Sequence, residues 1–267
     1  MRDCTLNVRM VDWNAARYHE VSAPQLAWGR RVLERLPLEG HERVLDLGCG
    51  TARITAEIAA RVPRGGVVGV DSSESMLQTA SAWVRERSLD IALVMADGAR
   101  LPFNRVFDAV FSGATFHWIH DHAALFRSIV TALRPGGRLA AQCGGAGNLA
   151  GLMGRVSRLM DERRFVPFFN DWAEVTYYAD VESTKRRLIA AGFSDVEVWL
   201  EAAPTTLASA QDYQQFIATV CVRHQLSRLP MDERRAFLRE LTIAAAGDSP
   251  AFTLDYWRLN ITARRPA

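Results

Sequence analysis

Three acidic residues stand at the ends of short apolar runs, and each is placed to meet a ligand. Asp46 sits at the end of "RVLDLGCG", just before Gly48, Cys49 and Gly50. Asp71 ends "GVVGVD", and Asp97 with Gly98 ends "IALVMADG". An apolar run closed by Gly-x-Gly and followed by a helical pattern is a turn that brings backbone close to a nucleotide. A dinucleotide needs a third glycine at the sixth motif position, and Arg53 stands there. Asp46 also opposes a diphosphate, whereas an ammonium group would be attracted to it. A second acidic turn at Asp97-Gly98 suits an unsubstituted adenine amine. The pattern asks for a nucleoside joined to an amino acid, with no phosphate.

A second stretch with chemistry is "SGATFHWIHDH", residues 112–122. His117 is placed as a base or orienter for a bound reactant, or as a packed residue, and Trp118 as a wall. His117, His120 and His122 invite a metal reading. Relative to a His-x-His-x-Asp-His set, Ile119 occupies one ligand position, so no metal is expected. His120 and His122 then read as a solvated helix start capped by Asp121. The cysteines Cys4, Cys49, Cys143 and Cys221 are far apart and form no Cys-x-x-Cys, so reduced thiols are expected.

The elements that must hold these residues are legible in the periodicity. Apolar runs at 43–47, 66–70, 91–98, 106–113 and 138–144 read as strands. Helical patterns lie between them, at 51–61, at 72–87 with Ser73 as its cap, and from Asp121 to before Pro135. An earlier helix runs from Pro24 to Leu36. This alternation is the signature of a doubly wound α/β sheet, whose ligand lies across the carboxyl ends of the strands. Later segments give a helix closed by Gly192, an alternating strand "DVEVWLE", helices near 209–226 and 231–246, and a long final strand "FTLDYWRLNITARR".

The chain has 267 residues, 49% of them hydrophobic and 23% charged, with a net charge of +2. No run of like charge reads as a nucleic-acid arm. No apolar stretch approaches the ~18 residues that span a membrane. The opening residues lack the apolar core of a signal peptide, so a cytoplasmic protein with no nucleic-acid or membrane partner is expected. Oligomeric state is not legible.

The segments "VLDLGCGTARIT", "GVDSSESML", "MADGARLPF", "FDAVFSGATFHWI" and "LRPGGRLAAQ" resemble, in order and spacing, the motifs of class I S-adenosylmethionine-dependent methyltransferases. "DWNAARYHE", "HWIHDHAALF" and the closing "FTLDYWRLNITARR" are similar to the small-molecule branch around trans-aconitate methyltransferase. The resemblance implies a Rossmann-like seven-stranded sheet with helical cap insertions. It divides the chain into a helical lid (1–40), a cofactor-binding core (41–145), a cap insertion (146–180), a core helix and strand (181–201), a helical cap (202–250) and a final core strand (251–267).

It also implies roles. Gly48, Cys49 and Gly50 pass beneath the methionine portion, and Asp46 faces its ammonium or steadies the loop. Asp71 takes the ribose hydroxyls. Ser72 and Met76 line the adenine pocket, and Asp97 and Gly98 read the base. The carbonyl of Ser112 accepts from the ammonium. Ala52 stands where many relatives have glycine and is small enough to pack there. Tyr18, His117 and Trp118 would meet the acceptor, unless Tyr18 belongs to the core. Arg163, Arg164, Phe168, Phe169, Trp172 and Tyr177 supply cap core or acceptor contacts.

The activity implied is methyl transfer from S-adenosylmethionine to a small acceptor, releasing S-adenosylhomocysteine, with a carboxylate oxygen as the methylated atom. A carrier-bound acyl group, a quinone precursor, a phenol or an amine is the alternative. A non-catalytic cofactor-binding subunit is a further one. Ser112 to Thr115 replace the Asn/Asp-Pro-Pro-Tyr stretch of enzymes that methylate nucleobase or glutamine amino groups.

Overall fold

Strands whose residues are apolar on both faces can only be stable between two helical layers, and the sequence supplies both. The computed structural model describes residues 12–267, so Cys4 and the opening of the expected lid lie outside the described residues. In chain order the elements are α1 (Ala15–Val21), α2 (Ala23–Glu34), β1 (Arg43–Leu47), α3 (Arg53–Arg61), β2 (Gly66–Asp71), α4 (Glu74–Glu86) and β3 (Ile91–Met95). Then come β4 (Phe107–Gly113), α5 (His122–Ala132), β5 (Leu133–Gly144), α6 (Ala150–Met160), α7 (Val181–Ala191) and β6 (Ser194–Ala202). The chain closes with β7 (Thr205–Thr206), α8 (Ala210–Phe216), α9 (Arg223–Arg228), α10 (Met231–Ala246), β8 (Thr253–Leu254) and β9 (Trp257–Arg264).

The chain divides into two units. The larger, residues 13–148, 176–203 and 256–267, holds a seven-stranded sheet in the order β3-β2-β1-β4-β5-β9-β6. The first five strands are parallel, and β9 runs antiparallel to both β5 and β6. The doubly wound α/β sheet expected from the sequence is therefore present. Winding reverses between β1 and β4, and a crevice opens at such a reversal. Val44, Leu45, Val70, Ala109 and Val110 are fully buried in the middle strands.

Local signals set several boundaries. The Ser73 hydroxyl accepts from the Met76 N–H at the start of α4, and the Asp121 carboxylate accepts from the Ala124 N–H at the start of α5. Gly192 stops α7 in the left-handed region. Two expectations need correction. Residues 23–34, read as part of a lid, form a helix that packs on β4, β5 and α3, with Val32 and Leu33 in the core. The expected final strand is broken at Asp255–Tyr256 into β8 and β9, and β8 pairs with β7 in a separate small sheet.

The second unit comprises residues 149–175 and 204–255. Its core packs Phe165 and Phe169, from the turns after α6, against Phe237 of α10. Arg155 on α6 makes a two-pronged ion pair with Asp248, and Arg164 pairs with Glu233 on α10. Arg164, Phe169 and Trp172 are thus engaged within this unit. Among the described residues no helix is long and apolar enough to cross a membrane.

Candidate functional site

The turn after β1 is tied down before any ligand arrives. The N–H groups of Gly48 and Cys49 both donate to the Val70 carbonyl, at 2.7 and 3.0 Å. The Gly50 N–H donates to Asp71 Oδ2 at 2.9 Å, and the Ser73 N–H donates to Asp71 Oδ1 at 2.9 Å. The turn that in dinucleotide enzymes offers N–H groups to phosphate has turned these three inward. What it offers instead is negative charge.

That charge is Asp46, 2% exposed, with Oδ2 accepting from the Thr55 hydroxyl at 2.7 Å. No cationic side chain among the described residues pairs with it. Burial pushes its carboxyl up to about 7; the Thr55 hydroxyl opposes that shift and the Asp71 charge adds to it. A carboxyl held above its ordinary value is protonated in the fold at a pH where the unfolded chain is ionised. The contribution of this carboxyl to stability is therefore expected to fall as pH rises from about 4 to about 7 and to be level above. At ~1.4 kcal/mol per pH unit, the cost of ionisation is on the order of 4 kcal/mol. Asp46→Asn is expected to stabilise the unliganded chain by a few kcal/mol at pH 8 and by less at pH 5. Urea unfolding at the two pH values measures this, and an equal gain at both would mean that charge is not the cause.

The two glycines of the turn do different jobs. Gly48 has φ +80°, and a Cβ there would lie 1.9 Å from Thr115 Oγ1. Its bare α-carbon makes room for the loop after β4, and its backbone lines the cleft. Gly50, at φ +53°, has nothing within 4 Å of a Cβ position, so a side chain there would project into the cleft. Ala52 is fully buried at φ +65°, a left-handed position that costs an alanine about 1 kcal/mol. Its small side chain is legible in the sequence; the left-handed backbone is not.

The cleft at the β1–β4 reversal is lined by Asp46, Gly48, Cys49 and Gly50 from one side and by Phe111, Gly113 and Ala114 from the other. Tyr18, Ser22 and Gln25 close it from the N-terminal helices. Five residues singled out in the sequence thus converge, and Asp71 joins them through its bond to Gly50. Cys49 is buried and its thiol is pushed well up by burial, which keeps it protonated. Ser72 and Asp97 are exposed beyond β2 and β3, and Met76 is buried on α4. Asp97 holds its own turn by accepting from the Ala99 N–H at 2.9 Å. Gly98 is buried, and a Cβ there would lie 2.9 Å from Ile119 Cδ1. The Ser112 hydroxyl donates to the Leu47 carbonyl at 2.7 Å, clamping β4 to β1. All of these lie at the carboxyl edge of the sheet.

Beyond them the rings form a continuous wall. Trp13 meets Tyr18 at 5.0 Å and Trp118 at 5.6 Å, both edge-on. Trp118 meets His117 at 4.9 Å, and His117 stacks on Tyr178 at 5.8 Å. His117 is buried, and its Nδ1 accepts from the Gly144 N–H at 3.3 Å. The neutral ring therefore carries its proton on Nε2.

Two expectations about rings fail here. Tyr177, named from the sequence, packs instead against His122 at 5.0 Å and bonds Arg187. Its neighbour Tyr178 is the one that faces His117. His122, read as solvated, is 2% exposed and bonds the Phe116 carbonyl through Nε2, and burial lowers its pKa. No role was legible in the sequence for Gln25 and Tyr178, which lie in no motif, or for Thr115 and Arg258, which lie inside quoted segments without any local mark. Cys49, Cys143 and Cys221 are free thiols.

The donor set fits a ligand with an ammonium at one end and a nucleoside at the other. The family described as "methyltransferase domain" matches residues 44–137. The chain is 32% identical over 250 residues to trans-aconitate 2-methyltransferase of Methylobacterium radiotolerans, covering 90% of this chain and 92% of that protein. The chain belongs to the class I S-adenosylmethionine-dependent methyltransferases. The trans-aconitate 2-methyltransferase of Variovorax paradoxus is 31% identical, over 86% of this chain and 88% of its own. Among solved structures, a Haemonchus contortus phosphoethanolamine N-methyltransferase 2 bound to S-adenosylhomocysteine superposes with a TM-score of 0.63 at 19% identity. It covers 95% of this chain and 57% of its own, and shares the fold. This methyltransferase uses S-adenosylmethionine as methyl donor and acts on a small molecule.

Proposed function

We propose that the enzyme methylates a carboxylate oxygen of a small organic acid. The observation that carries this reading is the tautomer of His117. Its Nδ1 is engaged by the Gly144 N–H, so the ring presents a donor and not a base. A carboxylate is already anionic at neutral pH and needs no base. A phenol or an ammonium acceptor would have to lose a proton first. The relatives named for trans-aconitate methylation, matched over most of both chains, support the same choice.

The bound donor supplies an electrophilic methyl on a sulfonium, with a neutral leaving group. The rest falls to positioning. Asp46 faces the ammonium, Asp71 the ribose hydroxyls, and Asp97 with Gly98 the adenine amine, while Ser72 and Met76 flank the base and the Ser112 carbonyl accepts from the ammonium. An anion attacking a cation loses charge on the way to the transition state. The rings of Tyr18, Trp13, Trp118 and Tyr178 keep water from solvating the separated charges. Alignment of two reactants is worth effective molarities of ~10⁵–10⁸ M. His117 then orients the acceptor by donating from Nε2.

Incubating the enzyme with isotopically labelled S-adenosylmethionine and a panel of acids, phenols and amines tests this. The expected product is an alkali-labile methyl ester; label on a phenol ether or an amine sinks the reading. His117→Gln, which retains a donor, is expected to lower kcat less than tenfold. Removal of a true general base costs ~10²–10⁴-fold.

A further inference from the structure

We propose that Arg258 is the anion anchor of the acceptor site: its guanidinium holds a second carboxylate of the acceptor, not the one that is methylated, and so selects polycarboxylates. This rests on the carboxylate reading above.

The placement comes from the topology. Because β9 is antiparallel to β5 and pairs Arg258 with Gly144, its first residues arrive at the carboxyl ends of the parallel strands. Gly144 is also the residue whose N–H fixes the His117 ring. Arg258 is 3% exposed. Its guanidinium lies over the Trp28 ring at 4.4 Å, with Tyr256 at 5.9 Å. Nε donates to Gln142 Oε1 at 3.3 Å. Gln142 is fixed in turn, donating to Asn260 Oδ1 at 2.7 Å. The other groups around the cation are Cys143, Tyr178 and Tyr18. Tyr18 lines the cofactor cleft and Tyr178 stacks on His117, so the groups within the guanidinium's electrostatic reach belong to both sides of the site.

What is missing is an anion. Nη2 is buried and has no hydrogen-bond partner, and among the described residues no carboxylate forms an ion pair with Arg258. The nearby acid on the same network, Glu201, is already engaged by Arg35 and Asn260. Burial lowers the pKa of Arg258, which means the fold works against its charge. Buried guanidinium groups are otherwise paired, and a planar carboxylate matches their fork of donors. An acceptor carrying one carboxylate at the methyl and another on Arg258 satisfies both observations at once.

The test titrates trans-aconitate, and separately the monocarboxylate crotonate, into the full chain loaded with S-adenosylhomocysteine. Turnover with S-adenosylmethionine is followed in parallel. Arg258→Gln is expected to weaken trans-aconitate at least 30-fold, to raise KM more than it lowers kcat, and to change crotonate and S-adenosylhomocysteine affinity less than threefold. Arg258→Lys, which keeps the charge without the fork, is expected to recover part of the loss, and it carries the readout if the glutamine variant does not fold. Equal losses on both acids, or an unchanged preference between them, would make Arg258 a structural pin against Trp28 and overturn the proposal alone. A wild-type enzyme that methylates no carboxylate would overturn the carboxylate reading with it.

Discussion

Replacing Asp71 with alanine is expected to lower affinity for S-adenosylmethionine by 10²-fold or more while leaving the chain folded. One carboxylate joins two turns here, accepting from Gly50 at one oxygen and Ser73 at the other, each at 2.9 Å. The ribose hydroxyls are proposed to bond the same carboxylate. Charge-assisted hydrogen bonds are worth ~1.5–3 kcal/mol each. Losing two from the ligand gives ~3–6 kcal/mol, and the Gly50 turn loosens as well. The fold survives because α4 has its own cap in Ser73 and the turn keeps its bonds to Val70. Asp71→Asn keeps the shape but removes the charge, and should fall in between. Calorimetric titration measures both, and affinity within threefold of wild type for Asp71→Ala would show that the pocket lies elsewhere.

The second large effect separates the two glycines of the same turn. Gly48→Ala is expected to destabilise the chain by ~3 kcal/mol or more, enough to prevent soluble expression of a marginally stable fold. The new methyl would sit 1.9 Å from Thr115 Oγ1 and 2.6 Å from its Cβ, so no rotamer of Thr115 relieves the clash. Overpacking of this kind costs ~1–3 kcal/mol, and the left-handed backbone at φ +80° adds ~1–2 kcal/mol. Adding Thr115→Gly should recover the steric part and leave the backbone part. Gly50→Ala should behave in the opposite way. It costs about 1 kcal/mol of stability, since the left-handed strain is the main penalty, but places a methyl in the cleft and weakens the cofactor at least tenfold. Thermal melts and titration of both variants check the contrast; matching effects at the two positions would contradict it.

The alternation of apolar runs and helices, the acids at the strand ends and the caps at Ser73, Asp121 and Gly192 were all readable in the sequence. Each depends on neighbours within a few residues, or on burial so complete that every position in a strand must be apolar. The order of motifs along the chain was enough to indicate both the sheet and its cofactor.

Only the tertiary structure decided which neighbours meet across the fold. Gly48 is glycine because of Thr115, 67 positions away by numbering. Tyr178 and not Tyr177 faces His117 because the chain bridges at Gly145 and Ala179 and fixes the register there. His122 looked solvated beside its exposed neighbours but is buried under Tyr177. The final apolar stretch breaks because Asp255 accepts from Leu149 and Gly151 while Tyr256 already joins the sheet unit. Arg258 has an ordinary place in an ordinary strand pattern, and nothing local marks it. A buried cation becomes distinctive only when the fold removes its water and, among the described residues, supplies no carboxylate to pair with it, a property of packing that residue types and spacing do not encode.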